Sequence, residues 1–193
     1  MTNKMNLTRI ILLLTTTLCL TAFHALGQTA NDYLKQGSAK CQKGDLDGAI
    51  GDFDKALELK PGDAEILYYR GQAKYHNKDL PGAIADFTEV IRLNPSYAAA
   101  YNKRGIAKSE NGDLDGAIAD YNKAIELKPN YGAAYMNRGG AKLVKGDKEG
   151  AEADGLKAIQ LDPSLSNLGE QSGRAIWRQV KTALKRGTTT GVG

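Results

Sequence analysis

Cysteine and histidine are almost absent from this chain of 193 residues, which holds two of each: Cys19 and Cys41, His24 and His76. A histidine–cysteine metal cluster cannot be assembled from that inventory, so no metal site is expected. Cysteine–histidine catalysis would require Cys41 and His76 to meet from separate segments, with nothing else in the sequence to support it. No glycine-rich phosphate loop stands between a strand pattern and a helix pattern. Carboxylates are plentiful, but most recur at a fixed spacing, whereas a catalytic pair would stand out as an exception to it. These scarcities point away from an enzyme and imply no cofactor.

Charge of one sign is also missing over most of the length. The chain carries a formal +4, and residues 1–27 contribute Lys4 and Arg9 without any acid, so the remainder is at +2. Residues 166–193 hold Arg174, Arg178, Lys181, Lys185 and Arg186 against Glu170, which leaves the central part slightly acidic. With no broad basic face, nucleic acid is not an expected partner.

Long apolar runs are confined to the start. Lys4 and Arg9 precede an apolar stretch from Ile10 to Leu14 that resumes at Leu18 to Leu20, and the small residues Ala25 and Gly27 follow. This order describes a secretory signal peptide over 1–27, with cleavage before Gln28. Thr15, Thr16 and Thr17 break the run and argue against a permanent span, and an uncleaved anchor is the alternative reading. Export would make the chain periplasmic or secreted. The exported part would then keep Cys41 alone, so its stability must come from packing and not from an internal disulfide.

What the sequence does have is a repeat. Gly37, Gly71, Gly105, Gly139 and Gly173 follow one another at intervals of 34 residues, and the first four share their neighbours. The units are 30–63, 64–97, 98–131 and 132–165. One column holds Ala49, Ala83, Ala117 and Ala151, and another Ala39, Ala73, Ala107 and Ala141. With the glycines they place tiny residues where two helices must approach closely. In the third unit Asn111-Gly112-Asp113 ends one helix and caps the next, after which Leu114, Ala117, Ile118, Tyr121, Ala124 and Ile125 form one apolar face. Pro61, Pro95, Pro129 and Pro163 stop the second helices, and Pro81 falls in a first helical turn. Each unit is therefore a helical hairpin.

These columns resemble the tetratricopeptide repeat. Tyr135, Asn137, Arg138 and Gly139 carry its Y-x-N-R-G element. Tyr101, Arg104, Gly105, Gly112, Asp113, Ala117, Ile118, Asp120, Tyr121, Ala124, Ile125, Leu127 and Pro129 carry nearly the whole pattern. The resemblance implies an all-α fold, an α-α superhelical solenoid of four helix-turn-helix repeats. It further implies a non-catalytic scaffold for protein–protein interaction. Asp52, Asp86, Asp120 and Asp154 on second helices, with Arg70, Arg104 and Arg138 on first helices, read as ion pairs at the edge of each hairpin in preference to a ladder that grips ligand.

The fourth unit departs from its own pattern. Gly155 replaces the aromatic of Phe53, Phe87 and Tyr121, Lys148 replaces a leucine, and Glu152 replaces an isoleucine, so its second helix is expected to be the weakest. Beyond it, Ile176, Trp177, Val180, Ala183 and Leu184 make an apolar stripe with a basic back, and Gly173 keeps the repeat phase. Residues 166–186 are read as a capping helix, with a basic membrane-surface helix over 174–186 as the alternative, and 187–193 as an unstructured tail.

By the family pattern, the first helices line the concave face. The positions facing it would be Leu34, Ser38 and Cys41, then Tyr68, Gln72 and Tyr75, then Asn102, Ile106 and Ser109, then Met136, Gly140 and Leu143, with Tyr69, Lys103 and Asn137 at the edge. They vary from unit to unit, as a groove for one extended ligand requires. Tyrosines offer large anchors and asparagines offer amides to a peptide backbone. Family members that clamp acidic chaperone tails need lysine and asparagine where Leu34 and Ser38 stand, so such a tail is not expected here. The expected function is to bind a segment of another protein in the groove; an envelope-assembly adaptor held on a membrane surface is the alternative.

Overall fold

A computed structural model of the chain describes residues 28–165, and the capping helix, tail and signal segment expected from the sequence lie outside them. Among the described residues every regular element is an α-helix: α1 (Ala30–Gln42), α2 (Leu46–Leu59), α3 (Ala64–His76), α4 (Leu80–Leu93), α5 (Ala98–Glu110), α6 (Leu114–Leu127), α7 (Gly132–Val144) and α8 (Lys148–Leu161). Consecutive pairs form four antiparallel hairpins, and each second helix also packs on the first helix of the next unit. Successive first helices touch along one side of the stack.

Local chemistry fixes the helix ends. Asp45, Asp79, Asp113 and Asp147 cap the second helices, each accepting a hydrogen bond from the backbone N–H three residues on. Thr29 and Asp32 close a reciprocal capping box on α1, with Asp32 Oδ2 accepting from the Thr29 N–H at 2.9 Å. The turn inside the third hairpin needs a left-handed residue, and Gly112 supplies it at φ +89°. In the second hairpin that place is taken by Lys78 at φ +66°.

The glycine column has a more specific purpose than helix contact in general. A Cβ on Gly37 would lie 2.7 Å from the Phe53 ring, one on Gly71 2.9 Å from Phe87, and one on Gly105 2.6 Å from Tyr121. Each of these glycines is the bed of one aromatic ring from its own second helix. In the fourth unit, where Gly155 replaces the ring, the nearest atom to a Cβ on Gly139 is instead the Ala151 carbonyl oxygen at 3.1 Å. Gly155 is nonetheless buried, and Met136 and Leu143 pack against Ala151 beside it.

The two alanine columns turn out to serve different contacts. Ala73 joins the cluster of Ala49 and Phe53, Ala107 that of Ala83 and Phe87, and Ala141 that of Ala117 and Tyr121, in each case on the preceding unit. That column is therefore a seam between units. Ala39, which has no unit before it among the described residues, is exposed.

The arginine column stitches the same seam. Arg70 Nε and Nη2 donate to Asp86 at 2.9 and 2.6 Å, and its Nη1 donates to Asp54 of the preceding unit at 2.7 Å. Arg104 bonds Asp120 and Thr88, and Arg138 bonds Asp154 and Asn122, always sixteen residues forward and sixteen back. Lys74, Lys108 and Lys142 complete the carboxylates of Asp86, Asp120 and Asp154. Each aspartate is only 4% exposed, which is tolerable for a charge because its oxygens are paired. In the first unit Gln36 stands in the arginine column and Asp52 pairs with Lys40 alone, at 2.6 Å.

Candidate functional site

The first helices put side chains of different size on one continuous face, and an open cleft lies between α1 and α3. A cleft of about 470 Å³ is lined by Ser38, Cys41, Leu46, Tyr69, Gln72 and His76, over Phe53 and Ala73. A second depression of about 360 Å³ shares Ser38 and Tyr69 with it and adds Leu34, Lys35 and Glu65. A third, of about 310 Å³, shares Leu34 and Glu65 with the second and reaches Lys60 and Asp63. The shared walls make these three hollows one trough running along α1 and α3. Tyr69 is 39% exposed, an unusual exposure for a large ring among the described residues.

The other predicted residues occupy different depths. Tyr68 is half-buried, with ring centroids 5.2 Å from Tyr97 and 5.9 Å from Phe87. Burial, then the neighbouring phenols of Tyr97 and Tyr131, push its hydroxyl well above the ordinary tyrosine range. Tyr75 donates its hydroxyl to Glu110, and burial followed by that bond pushes its pKa up to about 12. Asn102 is 4% exposed and accepts a hydrogen bond from Asn137 Nδ2 at 3.0 Å. Ile106 packs against the Tyr121 cluster, Met136 packs against Ala151, and Lys103 is half-buried. Tyr68, Asn102 and Asn137 thus form part of the wall between units, whereas Tyr69 and Gln72 line the open trough.

His76, Gln42 and Leu46 belong to the cleft and were not among the groove positions expected from the sequence. Gln42, His76, Glu110 and Val144 occupy one column of the repeat, and its lack of agreement between units was the available signal. The Cys41 thiol faces the same cleft, and burial, followed by the nearby Asp45 charge, raises its pKa. It is a protonated, weakly polar wall at neutral pH. Among the described residues no group of three or more His, Cys, Asp or Glu side chains is placed to hold a metal ion.

Stacked hairpins with tiny residues at every crossing and a variable inner face define the class of α-helical repeat solenoids. Tetratricopeptide repeat profiles match residues 34–98 and 98–131. The chain is similar to a crystal structure of MamA at 29% identity, covering 76% of this chain and 86% of that one with a TM-score of 0.69. It is similar to a second MamA crystal structure at 30% identity, with coverage of 72% and 75% and a TM-score of 0.64. A third similar structure is the first TPR of Spaghetti (RPAP3) bound to the HSP90 peptide SRMEEVD, at 27% identity, coverage of 62% and 94%, and a TM-score of 0.59. No curated protein sequence matches the chain. The chain belongs to the tetratricopeptide repeat family, whose fold is that of a protein–protein interaction scaffold.

Proposed function

We propose that this protein is a non-catalytic scaffold that holds an extended segment of a partner protein in the trough along α1 and α3. The observation that carries the reading is the continuity of the three hollows, which share walls from Thr29 to His76. A related fold holding a short peptide in the RPAP3 structure supports the mode of binding. The acidic peptide of that complex is not carried over, because Leu34 and Ser38 line the trough where a clamp for such a tail needs lysine and asparagine. Export through residues 1–27 would put the partner in the cell envelope or outside it. Fractionation with N-terminal sequencing tests that placement, a chain starting at Gln28 being the expected result.

The binding reading is tested by affinity capture with the wild-type chain and with Tyr69→Ala/Gln72→Ala. Both residues line the trough, so the variant is expected to keep its helical signal and lose its partner. A partner captured equally by both chains would overturn the proposal.

A further inference from the structure

The first and second gaps between units follow one plan but are closed differently. In the second gap Tyr75, near the end of α3, donates its hydroxyl to Glu110 at the end of α5. One unit earlier the corresponding residues are Cys41 and His76. A thiol in place of a phenol ring cannot span the gap, and no hydrogen bond joins this pair. The cleft of about 470 Å³ is the space left between them.

Its lining selects by chemistry. Phe53 and Ala73, at 0% and 2% exposure, form the floor, and Leu46, Cys41 and the Tyr69 ring form apolar walls. No carboxylate, ammonium or guanidinium lines it. A charged side chain entering would give up water without meeting a carboxylate, ammonium or guanidinium, and the one titratable ring in the lining besides the tyrosine, His76, sits at its exposed rim. An aromatic side chain has about 150–250 Å² to bury and gains from ring neighbours. The Phe53 and Tyr69 rings are stacked with centroids 6.4 Å apart, and the Cys41 sulfur adds a polarizable contact. Gln42 and Gln72 line the same cleft and offer amides to the backbone on either side of an inserted residue.

We infer that the cleft between α1 and α3 is the anchor subsite of the groove and takes one uncharged aromatic side chain from an extended partner segment. The inference rests on the groove reading above. It assigns to the Cys41–His76 gap a specificity that the Tyr75–Glu110 gap has closed off.

The test selects random end-blocked peptides on the immobilised full chain and measures their affinity for Cys41→Tyr/His76→Glu, which rebuilds the second gap's closure in the first. That pairing already exists one unit later, so helicity and melting temperature are expected to hold. Cys41→Leu, which narrows the cleft without adding a polar group, replaces the double variant should it not fold. The expected result is a selected set sharing one aromatic residue. Replacing that residue with alanine, or closing the cleft, should each weaken binding by about tenfold or more. Peptides that require Tyr69 and Gln72 yet bind the closed variant unchanged, or that place a lysine or glutamate at the shared position, would overturn the anchor and leave the groove standing. A library that yields no binder would overturn both.

Discussion

The Arg104 guanidinium grips both oxygens of Asp120, with Nε on Oδ2 at 2.9 Å and Nη2 on Oδ1 at 2.7 Å. The side chains are 16% and 6% exposed, so the pair is shielded from water by the two helices it joins. Removing one partner strands the other in a poorly solvated place. Arg104→Ala is expected to destabilise the array by about 3 kcal/mol, less whatever Lys108 recovers by staying on Asp120. Urea denaturation of the variant measures this, and a midpoint equal to the wild type's would show that the pair is dispensable.

Gly105 and Gly51 make a matched comparison of helical glycines. A Cβ on Gly105 meets the Tyr121 ring at 2.6 Å, whereas one on Gly51 meets nothing within 4 Å. Alanine is the better helix former by about 1 kcal/mol, which Gly51→Ala should gain in full. Gly105→Ala must push a ring out of a packed core, at about 1–3 kcal/mol. Thermal melts of the two variants are therefore expected to move in opposite directions.

Lys78 is strained where its counterparts are not. It is the non-glycine residue at positive φ among the described residues, at +66°, while Gly44, Gly112 and Gly146 make the equivalent turns. Its ion pair with Glu110 spans 3.6 Å and is largely exposed, so little is lost with it. Lys78→Gly is expected to stabilise the second hairpin by about 1 kcal/mol, the left-handed penalty less the glycine's added freedom in the unfolded chain. Equilibrium denaturation would register it as a higher midpoint with an unchanged slope.

Asp63 caps α3, accepting from the Glu65 N–H at 3.0 Å, and it pairs with Lys60 at 2.7 Å. The hydrogen bond from Lys60, with help from the backbone donors, holds its carboxyl below the ordinary value of 3.8. A depressed folded value means stability that is present above that ordinary value and is lost as pH falls through the lower folded one. Asp63→Ala is expected to cost about 1 kcal/mol at neutral pH. The gap between variant and wild type should narrow as the solution is acidified below 3.8, which paired melts across pH would reveal.

The hairpins and the caps of their second helices could be read from the sequence because each signal is local and recurs from unit to unit. The proline stops, the aspartate caps and Gly112 all act within a few residues of themselves. What escaped was every relation between units. Nothing near Ala73 in sequence says that it packs on Phe53 of the unit before, and the exposure of Ala39 follows only from its place at the start of the described stack. Asn102 reads as a ligand-facing amide because its column varies, yet it is 4% exposed and accepts a hydrogen bond from Asn137, thirty-five residues away. The trough was legible as a face but not as a shape, since its width depends on whether Cys41 or Tyr75 meets the next helix.

The arginines also constrain how this chain can change length. Each one is tied sixteen residues forward to an aspartate of its own hairpin and sixteen residues back to the hairpin before it, so it sets the spacing of the two helices within one unit and of that unit on its predecessor. Duplicating or deleting the second or third unit would return every arginine to an acceptor at the same offset, because Asp54, Thr88 and Asn122 all present an oxygen there. Gaining or losing a single residue inside a unit would pull one end of a tie out of register while leaving its helix intact. The array is thus an instrument with discrete notes: it can be lengthened or shortened by entire hairpins, and it resists everything in between.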